Sequence, residues 1–204
     1  MKGSEGTEAS DEDRSAPTPI RSRAAVWVAA MVFVAVIYLR WQGRIWWCAC
    51  GRLNPISIHV NSQHNSQHVF DPYSLSHVLH GVLFFGLLWL FRRRLSLNAR
   101  AVIASGIEIG WEMLENSPLI INRYRTATVS LGYTGDSIIN SLGDIASFVI
   151  GFYIARKLGL WKSVALFVIV ELLMLWLMRD NLTLNVLMLL WPIDAIRRWQ
   201  QGGQ

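Results

Sequence analysis

Three stretches of the sequence carry ionisable side chains at helical spacing inside otherwise apolar surroundings. The first reads Asp71-Pro72-Tyr73-Ser74-Leu75-Ser76-His77-Val78-Leu79-His80-Gly81. His77 and His80 are three apart and share one helical face. Proline suits a first helical turn, and the aspartate before it can cap free N–H groups. Gly81 would let a neighbouring helix approach closely. The second stretch places Glu108, Glu112 and Glu115 on one stripe, and Asn116-Ser117-Pro118 then ends that helix. The third begins Gly135-Asp136-Ser137-Ile138-Ile139-Asn140 and puts Asp136, Asn140 and Asp144 each four apart, again one stripe.

Imidazoles and carboxylates together suit a divalent metal such as zinc or manganese. His77, His80, Glu108, Glu112, Asp136 and Asp144 are the candidate ligands. A metal with an open position activates water for hydrolysis, and Glu112, Glu115, Asp136 and His77 are the candidate catalytic groups. Arg123 and Arg125 could hold a phosphate, with Asn116 and Asn140 as further substrate contacts. This sketches hydrolysis of a lipid or envelope component. The same groups could serve proton or cation movement. They could also form a non-catalytic hydrogen-bonded core, as in an envelope scaffold. Three carboxylates on one membrane helix are costly without a proton, a metal or a cationic partner.

The elements that carry these residues are membrane helices. Of the 204 residues 52% are hydrophobic, and they fall in long blocks with the charges between them. About 20 mainly apolar residues cross the hydrocarbon core. The blocks predict helices over 24–39, 77–91, 99–121, 136–155 and 163–178. A last stretch, 182–196, would be a sixth crossing or an interfacial helix. The ten tryptophans lie largely at block edges, where such rings favour the membrane–water interface. The expected fold class is an all-α polytopic membrane bundle of five or six helices, its one domain (23–204) preceded by a disordered polar tail over 1–22 that lacks a signal peptide's apolar core.

The net charge is +5, but the arginines flank apolar blocks and form no basic face, which argues against nucleic acid as a partner. With a cytoplasmic N-terminus and six crossings, 13 Lys and Arg residues lie inside and 6 outside. His77, His80, Glu112, Glu115, Asp136 and Asn140 then fall in the outer half of the bilayer, with Glu108 and Asp144 deeper. Polar faces at one depth turn toward each other because lipid gives them no partner.

The outer loop also holds Trp46-Trp47-Cys48-Ala49-Cys50-Gly51. Metal binding by the two cysteines with His59, His64 or His68 is one reading. The sequence favours another, a reduced or cross-bridged pair in an interfacial aromatic loop, since a disulfide between residues two apart is strained. Asn181-Leu182-Thr183 matches the glycosylation pattern but lies close to an apolar segment. Glu171 is expected either to join the polar cluster or to pair with Arg179.

The chain resembles uncharacterised protein family 0314 (domain of unknown function 2585). The resemblance rests on Trp47-Cys48-Ala49-Cys50-Gly51, Ser66-Gln67-His68 leading into Asp71-Pro72-Tyr73-Ser74 and His77, Trp111-Glu112 with Glu115-Asn116-Ser117-Pro118, Arg123-Tyr124-Arg125, and Gly135-Asp136-Ser137-Ile138-Ile139-Asn140-Ser141. It covers about Arg40 to the C-terminus. It implies a bacterial inner-membrane protein with several crossings, and no assigned activity. More loosely, an Asp-then-His helix, a Glu helix and a Gly-Asp helix are similar to the pattern of VanZ-like membrane proteins, by analogy only.

Overall fold

Short polar side chains set where the helices begin. Ser96 accepts a hydrogen bond from Ala99 N, Ser137 from Asn140 N and Asn181 from Leu184 N, each satisfying an N–H group left free in a first turn. In the computed structural model, which describes residues 22–60, 62–130 and 132–202, the helices are α1 (Ser22–Trp41), α2 (Ser74–Trp89), α3 (Leu97–Glu115), α4 (Pro118–Ala127), α5 (Ile138–Leu158), α6 (Leu160–Met178), α7 (Leu182–Leu190) and α8 (Asp194–Gln201). The only β feature among the described residues is one bridge, Ile56 to Phe70. The expected all-α fold is the observed one. The expected tail lies almost wholly outside the described residues.

Three helices, α1, α5 and α6, are long and apolar enough to cross a membrane. The 16-residue α2 is apolar but shorter, and α3 has the length but carries the glutamates. α1 and α6 expose Val26, Trp27, Phe33, Val34 and Ile37, and Val168, Ile169, Leu172 and Trp176. So broad an apolar surface is suited to lipid. Against it, α5 is largely buried, which places its polar stripe inside the bundle.

The helix expected over 99–121 is two helices. Asn116 closes α3, Ser117 accepts from Ile120 N, and Pro118 opens α4, because proline cannot supply the N–H that a continuing helix needs. The stretch 182–196 is likewise two pieces. The nine residues of α7 reach about 14 Å, half of the roughly 30 Å hydrocarbon core. After Pro192 the chain turns back. Gln200 Nε2 donates to Asp180 Oδ1 at 3.1 Å and Arg179 Nη1 to Trp199 O at 3.0 Å. α7 and α8 thus return to the end of α6 from which they left, and neither is long enough by itself to cross the hydrocarbon core.

Glu171 neither joins the polar cluster nor pairs with Arg179. Its carboxylate accepts from Leu182 N at 2.9 Å and Thr183 N at 3.1 Å, capping α7 where a negative charge is favourable. Asn181 likewise has a structural role as the α7 cap.

Asp180 sits in this turn, accepting from Tyr73 Oη at 3.0 Å. Burial raises its carboxyl from 3.8 to about 6, against the opposing hydrogen bond from Tyr73. A raised folded-state value favours the neutral form, so this contribution is complete below about pH 4 and disappears as pH rises through about 6. Its size is about 3 kcal/mol. Asp180→Asn is therefore expected to gain stability relative to the parent as pH rises from about 4 to 7. Thermal unfolding of both proteins across that range reads the difference; parallel pH profiles would sink the assignment.

Candidate functional site

The close approach of α2 and α5 builds the site. A side chain at Gly81 would collide with the backbone of Phe148, Gly151 and Phe152, and one at Gly151 with the carbonyl of Val78. Two helices can cross this tightly only where both lack a Cβ. The crossing brings the His77 face of α2 onto the Asp144 face of α5. α3 packs against both and supplies the glutamates.

Glu108 is fully buried and holds both histidines. His77 Nδ1 lies 2.7 Å from Glu108 Oε1, and His80 Nδ1 lies 3.0 and 3.2 Å from its two oxygens. A carboxylate only accepts, so both rings donate to Glu108 through Nδ1–H. Across His77, Nε2 is 3.9 Å from Asp144 Oδ2. Ser74, one turn earlier on α2, donates to Asp144 Oδ1 at 2.7 Å.

Glu112 stands apart. It is also fully buried, yet neither carboxylate oxygen has a hydrogen-bond partner. His77 Nδ1 approaches Oε1 at 3.3 Å, but its single proton is directed at the nearer Glu108. A buried carboxylate without a donor needs a proton or a cation.

Among the described residues, His77, Glu112 and Asp144 offer ligand atoms all within 4.8 Å of one another, and so do His77, His80 and Glu108. Asp136 belongs to neither group. It accepts from Asn116 Nδ2 at 2.8 Å and Tyr133 Oη at 2.9 Å, and its own N–H returns to Asn116 Oδ1 at 2.7 Å. Glu115 accepts from Tyr124 Oη at 2.8 Å. Asn140 is buried with both side-chain polar atoms unpartnered.

A cavity of about 70 Å³ opens beside these groups, lined by His77, His80, Glu115, Asp136, Asp144 and Tyr133 with others. The 42–73 loop roofs it. Asp71 accepts from the N–H groups of Ser66, Tyr73 and Ser74 at 2.8, 2.7 and 3.1 Å, so it caps α2 as its position before Pro72 suggested. Burial raises the Asp71 carboxyl, while the three N–H groups oppose the shift.

The two arginines point elsewhere. Arg123 Nε donates to Leu189 O at 2.7 Å, and Arg125 Nε to Tyr133 O at 2.5 Å. Both clasp the main chain, and neither is among the cavity residues. Sequence reasoning missed Ser74 as the partner of Asp144 and Tyr133 as that of Asp136. Ser74 precedes His77 by three and so shares its face, a legible signal; Tyr133 sits in an irregular loop and gave none.

Residues 39–202 match the model of a family described as a protein of unknown function (DUF2585). A UPF0314 protein of Sinorhizobium fredii is 46% identical over 180 residues, 87% of this chain and 91% of that protein. One of Paracoccus denitrificans is 47% identical over 181 residues, 88% and 94% of the two chains. One of Rhizobium meliloti is 48% identical over 183 residues, 88% and 93%. No solved structure matches the chain. With a family model spanning most of its length and such relatives along nearly all of theirs, the chain belongs to the DUF2585 family, whose curated members carry the name UPF0314.

Proposed function

We propose that this is a multi-pass inner-membrane protein that holds a divalent cation between His77, Glu112 and Asp144 and hydrolyses a lipid or envelope component from the periplasmic side. The supporting observation is the Glu112 carboxylate, fully buried with both oxygens unpartnered beside His77 and Asp144. The His77–Glu112–Asp144 group is preferred over His77–His80–Glu108 because Glu108 already accepts from both imidazoles. Glu108 instead orients His77, as carboxylates commonly orient metal-bound histidines. The cation would supply an activated water. Glu115 and Asp136, which line the cavity, would take up its proton.

Orientation follows from charge. With five crossings and a cytoplasmic N-terminus, 11 Lys and Arg residues lie inside and 8 outside, the Arg92-Arg93-Arg94 run inside. The cavity then faces the periplasm.

A second reading, proton or cation transport, is favoured by the cavity's size. About 70 Å³ admits waters and an ion more readily than a lipid head group.

Metal analysis of the protein purified in detergent is the first test. About one divalent ion per chain is expected to be lost in Glu112→Gln and Asp144→Asn. Unchanged metal content in both folded variants rejects the cation site. If the metal is lost, proteoliposome flux assays separate transport from hydrolysis.

A further inference from the structure

Outside the bundle, the 42–73 loop gathers a second set of ligating side chains. Cys48, Cys50, His64 and His68 place one ligand atom each within 4.8 Å of all the others. We propose that these four residues form a structural zinc site of two thiolates and two imidazoles.

Two of the ligand–ligand separations match those of a tetrahedral zinc site. Zinc bound at about 2.3 Å to sulfur and about 2.0–2.1 Å to nitrogen sets neighbouring ligand atoms roughly 3.3–3.8 Å apart. Cys48 Sγ lies 3.3 Å from His64 Nδ1, and Cys50 Sγ 3.8 Å from His68 Nε2. Both cysteines are free. The outer contacts fit as well. His68 Nδ1 lies 2.5 Å from Asn54 O; a carbonyl only accepts, so the proton is on Nδ1 and the Nε2 lone pair faces the sulfur. Cys50 N donates to Cys48 Sγ at 3.5 Å. Trp47 Nε1 donates to Arg52 O at 2.7 Å, and Gly51 takes a positive φ of 70°, which together close the turn bearing both thiols. His59 is not one of the four.

The loop has a reason to need a metal. Among its described residues between Trp41 and Ser74 there is one isolated bridge and no helix. A segment this irregular orders itself poorly without a staple. Its ordered form is required by the bundle. Gln67 Nε2 donates to Gly135 O at 2.8 Å, Ser137 N to Ser66 O at 2.9 Å, and Ile138 N to Ile45 O at 2.8 Å. The loop thereby takes up the free N–H groups at the start of α5 and roofs the cavity. The sequence reading favoured a reduced or cross-bridged pair in an aromatic loop, with metal binding alongside the histidines as the alternative. His64 and His68 are 14 or more residues away in the chain, and only the fold back across Phe70 and Ile56 returns them to the cysteines.

The test uses the full-length protein purified in detergent under reducing conditions, with zinc exchanged for cobalt(II). A tetrahedral site with two thiolates gives sulfur-to-cobalt charge-transfer absorption and intense d–d bands, which an oxygen- and nitrogen-ligated site in the bundle cannot give. Those bands are expected in the parent and lost in Cys50→Ser, together with about one zinc per chain. Glu112→Gln is expected to keep them. Parent protein that binds cobalt without the sulfur band, or Cys50→Ser protein that keeps it, overturns the proposal. Should the variant not fold, alkylation of the parent decides. Zinc should protect both thiols until a strong chelator is added, and thiols that react equally fast with and without zinc reject the site.

Discussion

Replacing Glu108 by alanine is expected to destabilise the protein by about 3–5 kcal/mol, the loss seen when one partner of a buried ionic group is removed. The carboxylate is fully buried and bonds both histidines. Without it the His80 Nδ1–H loses its acceptor, and His77 is left with the unpartnered Glu112, 3.3 Å from its Nδ1. Glu108→Gln keeps one acceptor oxygen and should lose less. Thermal unfolding in one detergent measures both. A loss below about 0.5 kcal/mol for the alanine variant, within what an ordinary surface change produces, would mean that Glu108 does not hold the histidines as described.

Gly81→Ala is the second large effect. The added methyl meets backbone of Phe148, Gly151 and Phe152, and backbone cannot rotate aside as a side chain can. The helices must separate, with a loss of about 1–3 kcal/mol or more for overpacking. Separation also draws His77 away from Asp144, so metal content should fall with stability. Gly86 lies on the same helix with open space around it. Gly86→Ala should be neutral or stabilising by about 0.5–1 kcal/mol, since glycine is the poorer helix former. Equal effects at the two positions would show that helix propensity, not the α2–α5 crossing, governs Gly81.

The sequence by itself determined the helical class, the apolar blocks and the three polar stripes. Those follow from local rules: periodicity along one helix, proline at its start, and the reluctance of charged groups to meet lipid. Those stripes contain His77, Glu108, Glu112 and Asp144, whose ligand atoms the fold brings close together. Helix ends were less legible. The stretch 99–121 reads as one apolar block, although Ser117 and Pro118 divide it, because hydropathy averages over a cap.

What tertiary structure decided was how the polar groups are divided among partners. Glu108 takes both imidazoles, Asp136 takes Asn116 and Tyr133, Glu171 caps α7, and Glu112 is left without a donor. Spacing along a helix shows which side chains share a face, but a hydrogen bond depends on which other face is pressed against it. The Cys48–Cys50–His64–His68 cluster is the plainest case. An irregular loop has no period to read, so proximity across it exists only once the loop is seated on α5.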